Sequence, residues 1–434
     1  MIDLPGVTGR LLDQLDREAL PSWVAELIEA GRSRIRPVLP AVTMPAQATF
    51  STGKLPQEHG VVANGFAGFR VPSLRENLDM TSYPDYRGNV SFWEQSNKLL
   101  QAERVWKTQG RRAAMLFVQS SMGGAADVVV TPKPEHTPDG KTISMCWSDP
   151  PELYTKLRDQ LGEFPLHHFW GPLAGIKSSE WIVAAARLVW EWHPTDLQWV
   201  YVPHMDYDLQ KLGPDDPKCV DELAKVLGLI TPLAEKIKAD GGRLLVLSEY
   251  GMTPVSRSLP INVRLREAGL LQPTADGEMD YENSAAFAMV DHQVAHLYCR
   301  DAATADAVEK LLQEADAVDT LHRGEARAEI GLNTERAGDI VAFAKPDAWF
   351  EYRWWSDFAE APDFAWTVDI HRKPGYDPTE MFVDREKKRI RADEPHLVKG
   401  SHGARSADPA NWPILLGAEG AGEQVEATDV AKFF

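Results

Sequence analysis

Cysteine is scarce in this 434-residue chain. Its three cysteines, Cys146, Cys219 and Cys299, are far apart and form no Cys-x-x-Cys pair, which excludes a disulfide framework and a cysteine-ligated zinc centre. Positive charge is also in deficit. With 46 Lys and Arg against 64 Asp and Glu the formal charge is −18, so the basic surface that nucleic acid or an anionic membrane requires is missing, and neither partner is expected. No apolar run approaches the roughly 18 residues of a bilayer-spanning helix. The opening MIDLPGVTGRLLDQLD has no basic stretch followed by an apolar one, so no secretory signal is read there and a cytoplasmic protein is expected. Repeats and low-complexity linkers are absent as well.

What the chain does contain is an alternation of short β-rich runs with helical patterns. Strands are expected at residues 1–4, 113–118, 197–202, 244–248, 286–290, 295–299 and 340–344, and helices at 23–30, 178–192, 220–239 and 303–314. That order predicts an α/β fold with a mostly parallel sheet covered on both faces. The length exceeds one ordinary domain, so a core made of residues 1–72 and 172–434 is expected, with residues 73–171 as an inserted cap or substrate wall. The cap reading rests on the Pro, Trp, His and Asn content of that stretch. The aromatic run AWFEYRWW at 348–355 is a second candidate wall, or else ordinary core.

The most informative segment is LPAVTMPAQATFSTGKLPQEHGVVANGF at residues 39–66. Thr43 stands between Pro40 and Pro45, and Pro45 disfavours helical geometry at Met44, so a helix is expected to begin just after Thr43. A hydroxyl at a helix N-terminus lies beside unpaired N–H groups and the positive end of the dipole. Those features suit a phosphoryl group. A lone Thr in this setting is often only a helix cap, but Pro40, Thr43, Pro45, Thr52-Gly53, Pro56, His59-Gly60 and Asn64 follow one another in a fixed order. In that order the segment resembles the nucleophile region of the nucleotide pyrophosphatase/phosphodiesterase family, within the alkaline phosphatase superfamily.

The resemblance implies an alkaline phosphatase-like α/β/α sandwich, Thr43 as nucleophile, Asn64 holding a phosphoryl oxygen, and metal ligands in loops after successive strands. The segment YVPHMDYDLQKLGP resembles the family's Pro-Asp-x-x-x-His-x-x-Gly-Pro motif and puts Asp206 at a carboxylate ligand, with Gln210 where the family has His. LLVLSEYGMTP resembles Ser-Asp-His-Gly-Met, with Glu249 and Tyr250 at two adjacent ligands, and VKGSHGARS puts His402 at a further one. The first family ligand is an Asp immediately before a Gly; here Pro5 precedes Gly6. Asp3 lies two residues earlier, and alternation along a strand puts it on the same face as Pro5.

Thr43, Asp206 and His402 thus match the family, Glu249 is a mild change, and Pro5, Gln210 and Tyr250 depart from it. Since a zinc centre takes about three protein ligands per ion, fewer than two divalent ions (Zn, Mg or Mn) are expected, or none; Asp3, Gln210 and Tyr250 remain as further metal or substrate contacts. In DHQVAHLYC, Asp291, His292 and His296 read as structural. His371, Arg372 and Lys373 are candidate contacts to an anionic substrate. The function implied is cleavage of a phosphodiester or pyrophosphate bond in a small anionic phosphorylated metabolite. A transferase or biosynthetic enzyme on the same fold, and a non-catalytic ligand-binding protein, are the competing expectations. The chain itself leaves the oligomeric state unspecified.

Overall fold

Apolar runs without alternation become strands buried on both faces, because a parallel sheet is covered by helices above and below. A computed structural model describes all residues except 19, 69–89, 137–141 and 370–371. In chain order its first strands are β1 (Ile2–Asp3), β2 (Arg32–Arg36), β3 (Ala113–Leu116), β4 (Val128–Pro132), β5 (Cys146–Asp149), β6 (Leu197–Tyr201) and β7 (Val246–Leu247). A second group follows: β8 (Ala286–Asp291), β9 (Val294–Cys299), β10 (Val318–Arg323), β11 (Ile340–Ala344) and β12 (Gly375–Tyr376). Finally β13 (Ile414–Leu416) and β14 (Gln424–Glu426) return to the first group. The helices that matter here are α1 (Ser22–Ala30), α2 (Thr43–Thr52), α3 (Ile176–Trp192), α4 (His204–Leu212), α5 (Pro217–Ala239) and α6 (Ala302–Gln313).

Among the described residues the main sheet has nine strands in the order β14-β2-β13-β7-β1-β6-β3-β4-β5. Its centre, β7-β1-β6-β3-β4, is parallel throughout, and antiparallel pairs occur only towards the edges. Every residue of β3 and β6 is buried, and the largest hydrophobic cluster joins these strands to apolar faces of α3 and α5 through Ile182, Val189, Leu223 and Leu233. The architecture is an α/β/α sandwich with a central, mostly parallel sheet.

The division of the chain differs from the expected one. Residues 73–171 do not stand apart as a cap, because β3, β4 and β5 are strands of the main sheet. The Pro- and Trp-rich composition belongs to the connections around them, whereas the strands AAML and VVVTP are as apolar as the rest of the core. The separate layer is a five-stranded sheet, β10-β11-β9-β8-β12, drawn from residues 286–376 and carrying its own hydrophobic cluster. Phe350, Trp354 and Trp355 of the 348–355 run are buried in that cluster, so this run is core, as its bulk favours.

Candidate active site

Strands β7, β1 and β6 are adjacent and parallel, so the loops leaving their carboxyl ends open on one edge, the usual place for a site in an open α/β sheet. β1 ends on Asp3, and the chain then turns so that Gly6 bridges to Gly251. Counting back from Gly6 had put Pro5 in register; the strand end puts Asp3 there. Glu249 and Tyr250 follow β7, and Asp206 lies in the first turn of α4, after β6, with Gln210 one turn further on the same face.

Thr43 is the first residue of α2, preceded by extended Val42 (φ −133°, ψ 160°). The helix thus includes Thr43 instead of starting after it, because Pro45 falls within the first turn, where its missing N–H leaves no bond unmade. Asn64 Oδ1 accepts from the Met44 N–H at 2.8 Å. Its Nδ2 is buried without a hydrogen bond of ordinary geometry, faces the Asp291 carboxyl, and has room in its bonding for a further acceptor. His59 ties this loop to α2: Nδ1 accepts from Val61 N–H at 3.1 Å, which leaves the proton on Nε2 to donate to Thr49 Oγ1 at 3.0 Å. Burial lowers the His59 pKa to about 3, so the ring is neutral.

The Thr43 hydroxyl lies 3.3 Å from the Tyr250 hydroxyl, which donates to Asp206 Oδ1 at 3.0 Å. Because the phenol has one proton and spends it on Asp206, Thr43 is the donor in its own bond to Tyr250. Gln210 Nε2 donates to Asp206 Oδ2 at 2.7 Å. Burial raises the Asp206 carboxyl to about 7 against these two hydrogen bonds, which lower it. His402 donates from Nδ1 to the Ala41 carbonyl at 2.9 Å and stacks on Tyr250 with ring centroids 3.7 Å apart.

Three groups of the site had no motif to announce them. Gln47, one turn after Thr43, donates to Glu249 Oε1 at 2.6 Å and accepts from Gln119 N–H at 2.7 Å. Asp291 and His292, read from sequence as structural, reach the site from the second sheet: His292 Nε2 is 3.1 Å from Gln210 Oε1 and Nδ1 is 2.6 Å from Asp291 Oδ1. Beside them stands an aromatic wall: the Tyr376 ring is 5.2 Å from His292, Trp93 is 6.4 Å from Tyr376, and Trp170 is 6.3 Å from Trp93. Trp93 has φ 59°, a conformation costly for a bulky residue and typical of functional sites.

The donor atoms decide which metal could sit here. Asp3 Oδ1 and Glu249 Oε2 are both buried and unpartnered. Burial raises both carboxyls, and Glu249 is raised further by the charge of Asp3, the signature of two acids that share a proton or face a cation. With the Thr43 hydroxyl they make an all-oxygen set, suited to Mg or Mn and short of the nitrogen ligands favoured by zinc. The other half does not fit a cation, since both Asp206 oxygens are covered by donor groups. His204, Asp208 and Glu222 also have ligand spacing. There, however, His204 Nε2 lies between the two carboxylates at 3.5 and 3.0 Å, and Lys225 Nζ caps Glu222 at 2.5 Å, a polar network joining α4 to α5.

Of the expected anion contacts, Arg372 and Lys373 have their hydrogen bonds to groups other than Thr43, Asn64 and Asp206. His371 lies outside the described residues. Arg372 is exposed, with Nε donating to Asp369 Oδ2 at 2.7 Å and the guanidinium over the Phe364 ring. Lys373 is buried, paired with Glu380 at 2.5 Å and donating to the Thr367 carbonyl at 2.7 Å. Among the described residues no helix is long and apolar enough to cross a membrane.

Comparison with known proteins gives a family profile, type I phosphodiesterase / nucleotide pyrophosphatase, that matches residues 1–377. Among solved structures the chain is similar to the murine ectonucleotide pyrophosphatase / phosphodiesterase 5, at 16% identity and TM-score 0.57, covering 99% of this chain and 92% of that one. An inactive threonine-to-alanine variant of that protein in complex with AMP is similar at 16% identity and TM-score 0.58, with the same coverage. The phosphonoacetate hydrolase of Sinorhizobium meliloti 1021 in complex with phosphonoformate is similar at 15% identity and TM-score 0.60, covering 99% and 93%. No curated protein matches the sequence significantly.

Proposed function

The chain belongs to the type I phosphodiesterase / nucleotide pyrophosphatase family, and from that premise we propose that it hydrolyses a phosphodiester or pyrophosphate bond of a small anionic metabolite with Thr43 as nucleophile. One observation carries the reading: the buried Thr43 hydroxyl opens a helix, is held by Tyr250, and has the Asn64 amide beside the next residue. AMP in the murine variant, and phosphonoformate in the bacterial hydrolase, are small phosphorus-containing anions of the size this reading calls for.

Thr43 Oγ forms a bond to phosphorus as the bond to the leaving-group oxygen breaks on the opposite side. The hydroxyl proton departs along its hydrogen bond to Tyr250, whose own proton is already directed at Asp206. Asn64 Nδ2 and the first N–H groups of α2 take the non-bridging oxygens, whose charge grows in the transition state. Water then attacks the phospho-Thr43 phosphorus, releasing the phosphorylated product and restoring the hydroxyl. Asp3 and Glu249 would hold a single Mg or Mn ion, which supplies Lewis-acid stabilisation of phosphoryl charge when bound. The aromatic wall of Tyr376, Trp93 and Trp170 is available to an apolar or aromatic leaving group.

The test is turnover of bis(p-nitrophenyl) phosphate, dinucleoside pyrophosphates and phosphonoacetate by the wild type and by Thr43→Ala. The variant is expected to lose at least about a thousandfold in kcat; a wild-type rate in Thr43→Ala, or no turnover of the whole panel, overturns the proposal. An added alcohol acceptor separates hydrolysis from transfer by its products.

A further inference from the structure

His292 is the first of two residues joining β8, which ends at Asp291, to β9, which starts at Val294. Its φ is 58°. Tight hairpins place Gly or Asn at such a position, and a His there is strained unless its surroundings hold it. The surroundings do hold it. The side chain is buried, both ring nitrogens are engaged, and the ring lies 3.9 Å from that of His402. The hairpin tip is wedged against the His402 loop: Gln293 N–H donates to the His402 carbonyl at 2.8 Å, and at Gly403 (φ +116°) a Cβ would come within 3.0 Å of the same nitrogen.

From this tip a continuous line of hydrogen bonds runs to the nucleophile: Asp291 to His292, His292 to Gln210, Gln210 to Asp206, Asp206 to Tyr250, Tyr250 to Thr43. The direction of each bond follows from its neighbour. Asp206, as a carboxylate, takes the Gln210 amide N–H, so the Gln210 carbonyl faces His292 and needs a donor there. His292 must then carry its proton on Nε2, and its Nδ1, left with a lone pair, accepts from Asp291, whose buried carboxyl holds the proton. At the far end, an Asp206 fixed as acceptor draws the Tyr250 proton, so the phenol oxygen presents a lone pair to Thr43 and the Thr43 proton points away from the incoming phosphorus.

We propose that this line positions the nucleophile, with Tyr250 a catalytic residue that holds the Thr43 hydroxyl, and Gln210, His292 and Asp291 positioning residues that act through Asp206. The inference rests on Thr43 being the nucleophile. It gives Tyr250 and Gln210, two of the departures from the family's ligand pattern, one shared task. It also assigns that task's outer end to a hairpin of the second sheet.

Two measurements test it. In 15N-histidine NMR spectra of the wild type, His292 is expected with its proton on Nε2; a neutral ring protonated only on Nδ1 overturns the proposal whether or not a substrate is known. In steady-state turnover of bis(p-nitrophenyl) phosphate, Tyr250→Phe is expected to lower kcat about a hundredfold and His292→Ala about tenfold, each with KM within about twofold of wild type. His292→Gln, which returns an N–H donor towards Gln210, is expected to recover most of that loss. Should His292→Ala fail to fold, as judged by its melting curve, Tyr250→Phe and the isosteric Gln210→Glu, which sets an acceptor against Asp206, decide the matter. Wild-type kcat in Tyr250→Phe and Gln210→Glu overturns the proposal, as does His292→Gln no better than His292→Ala. Inactive Thr43→Ala beside fully active Tyr250→Phe would defeat this inference and leave the nucleophile standing, whereas active Thr43→Ala would remove both.

Discussion

Tyr250 and Gln210 each put a hydrogen-bond donor on Asp206 where a metal ligand would have to offer a lone pair. Asp3 and Glu249 do the reverse, leaving one oxygen each buried and unpartnered. The expected consequence is binding of one Mn or Mg ion per chain, measured by calorimetry and by metal analysis of protein prepared without chelator. Asp3→Asn and Glu249→Gln should each abolish that binding. Two stoichiometric zinc ions per chain would contradict it. At this scale much of the candidate site was legible. Thr43, Asn64, Asp206, Glu249 and His402 are spaced from Gly and Pro residues that close tight turns, so local sequence is enough to single them out. Asp3 was obscured because register was counted from Gly6, whereas the strand ends three residues earlier. Gln47 carries no signal of its own; its role exists only because α2 brings it against Glu249.

Helix α2 and the loop after it form one element that sets Thr43 and Met44 against Asn64, and His59 is the pin between them. Its pKa lies near 3 in the folded chain against an ordinary value of 6.5. The unfolded chain therefore takes up a proton below about pH 6.5 that the folded chain refuses, so the stability His59 contributes is complete above that pH. It is lost progressively as the pH falls towards 3, at up to about 1.4 kcal/mol per unit. Buried Asp291 and Asp206, raised to about 7, act with the opposite sign, so the comparison must be with a variant that removes only His59. Between pH 7.5 and 5 the wild type should lose about 2 kcal/mol more than His59→Gln, read from denaturant unfolding at each pH; equal losses would mean His59 is charged in the folded state. The existence of α1, α3, α5 and α6 was readable from helical patterns, and that of α2 from Thr43 and its flanking prolines. The β8–β9 hairpin was read as two strands, but nothing in DHQVAH says that its tip enters the site, since His292 and Gln210 are 82 residues apart.

Across the whole molecule the charge of −18 surrounds the proposed anion site. Lys373 is committed to Glu380 and Arg372 to Asp369, so these two side chains do little to offset the long-range repulsion. Raising ionic strength from about 0.01 to 0.15 M shortens the screening length from roughly 30 to 8 Å. It should therefore raise kcat/KM for an anionic diester while leaving that for an uncharged phosphotriester unchanged. A fall for the diester would reveal a local positive field at the entrance.

The sequence by itself determined the class of fold and singled out the Thr43 loop, because hydrophobic periodicity, Pro and Gly act over a few residues and need no distant partner. It also marked Gln210 and Tyr250 as departures from the family pattern, without saying what they do instead. Only the tertiary structure decided that residues 113–149 contribute strands to the main sheet, that Asp3 closes on Glu249, and that a strained His292 from the second sheet completes the line to Thr43. Those outcomes depend on burial and on hydrogen bonds between groups far apart in the chain, and they come into being only when the two sheets pack together.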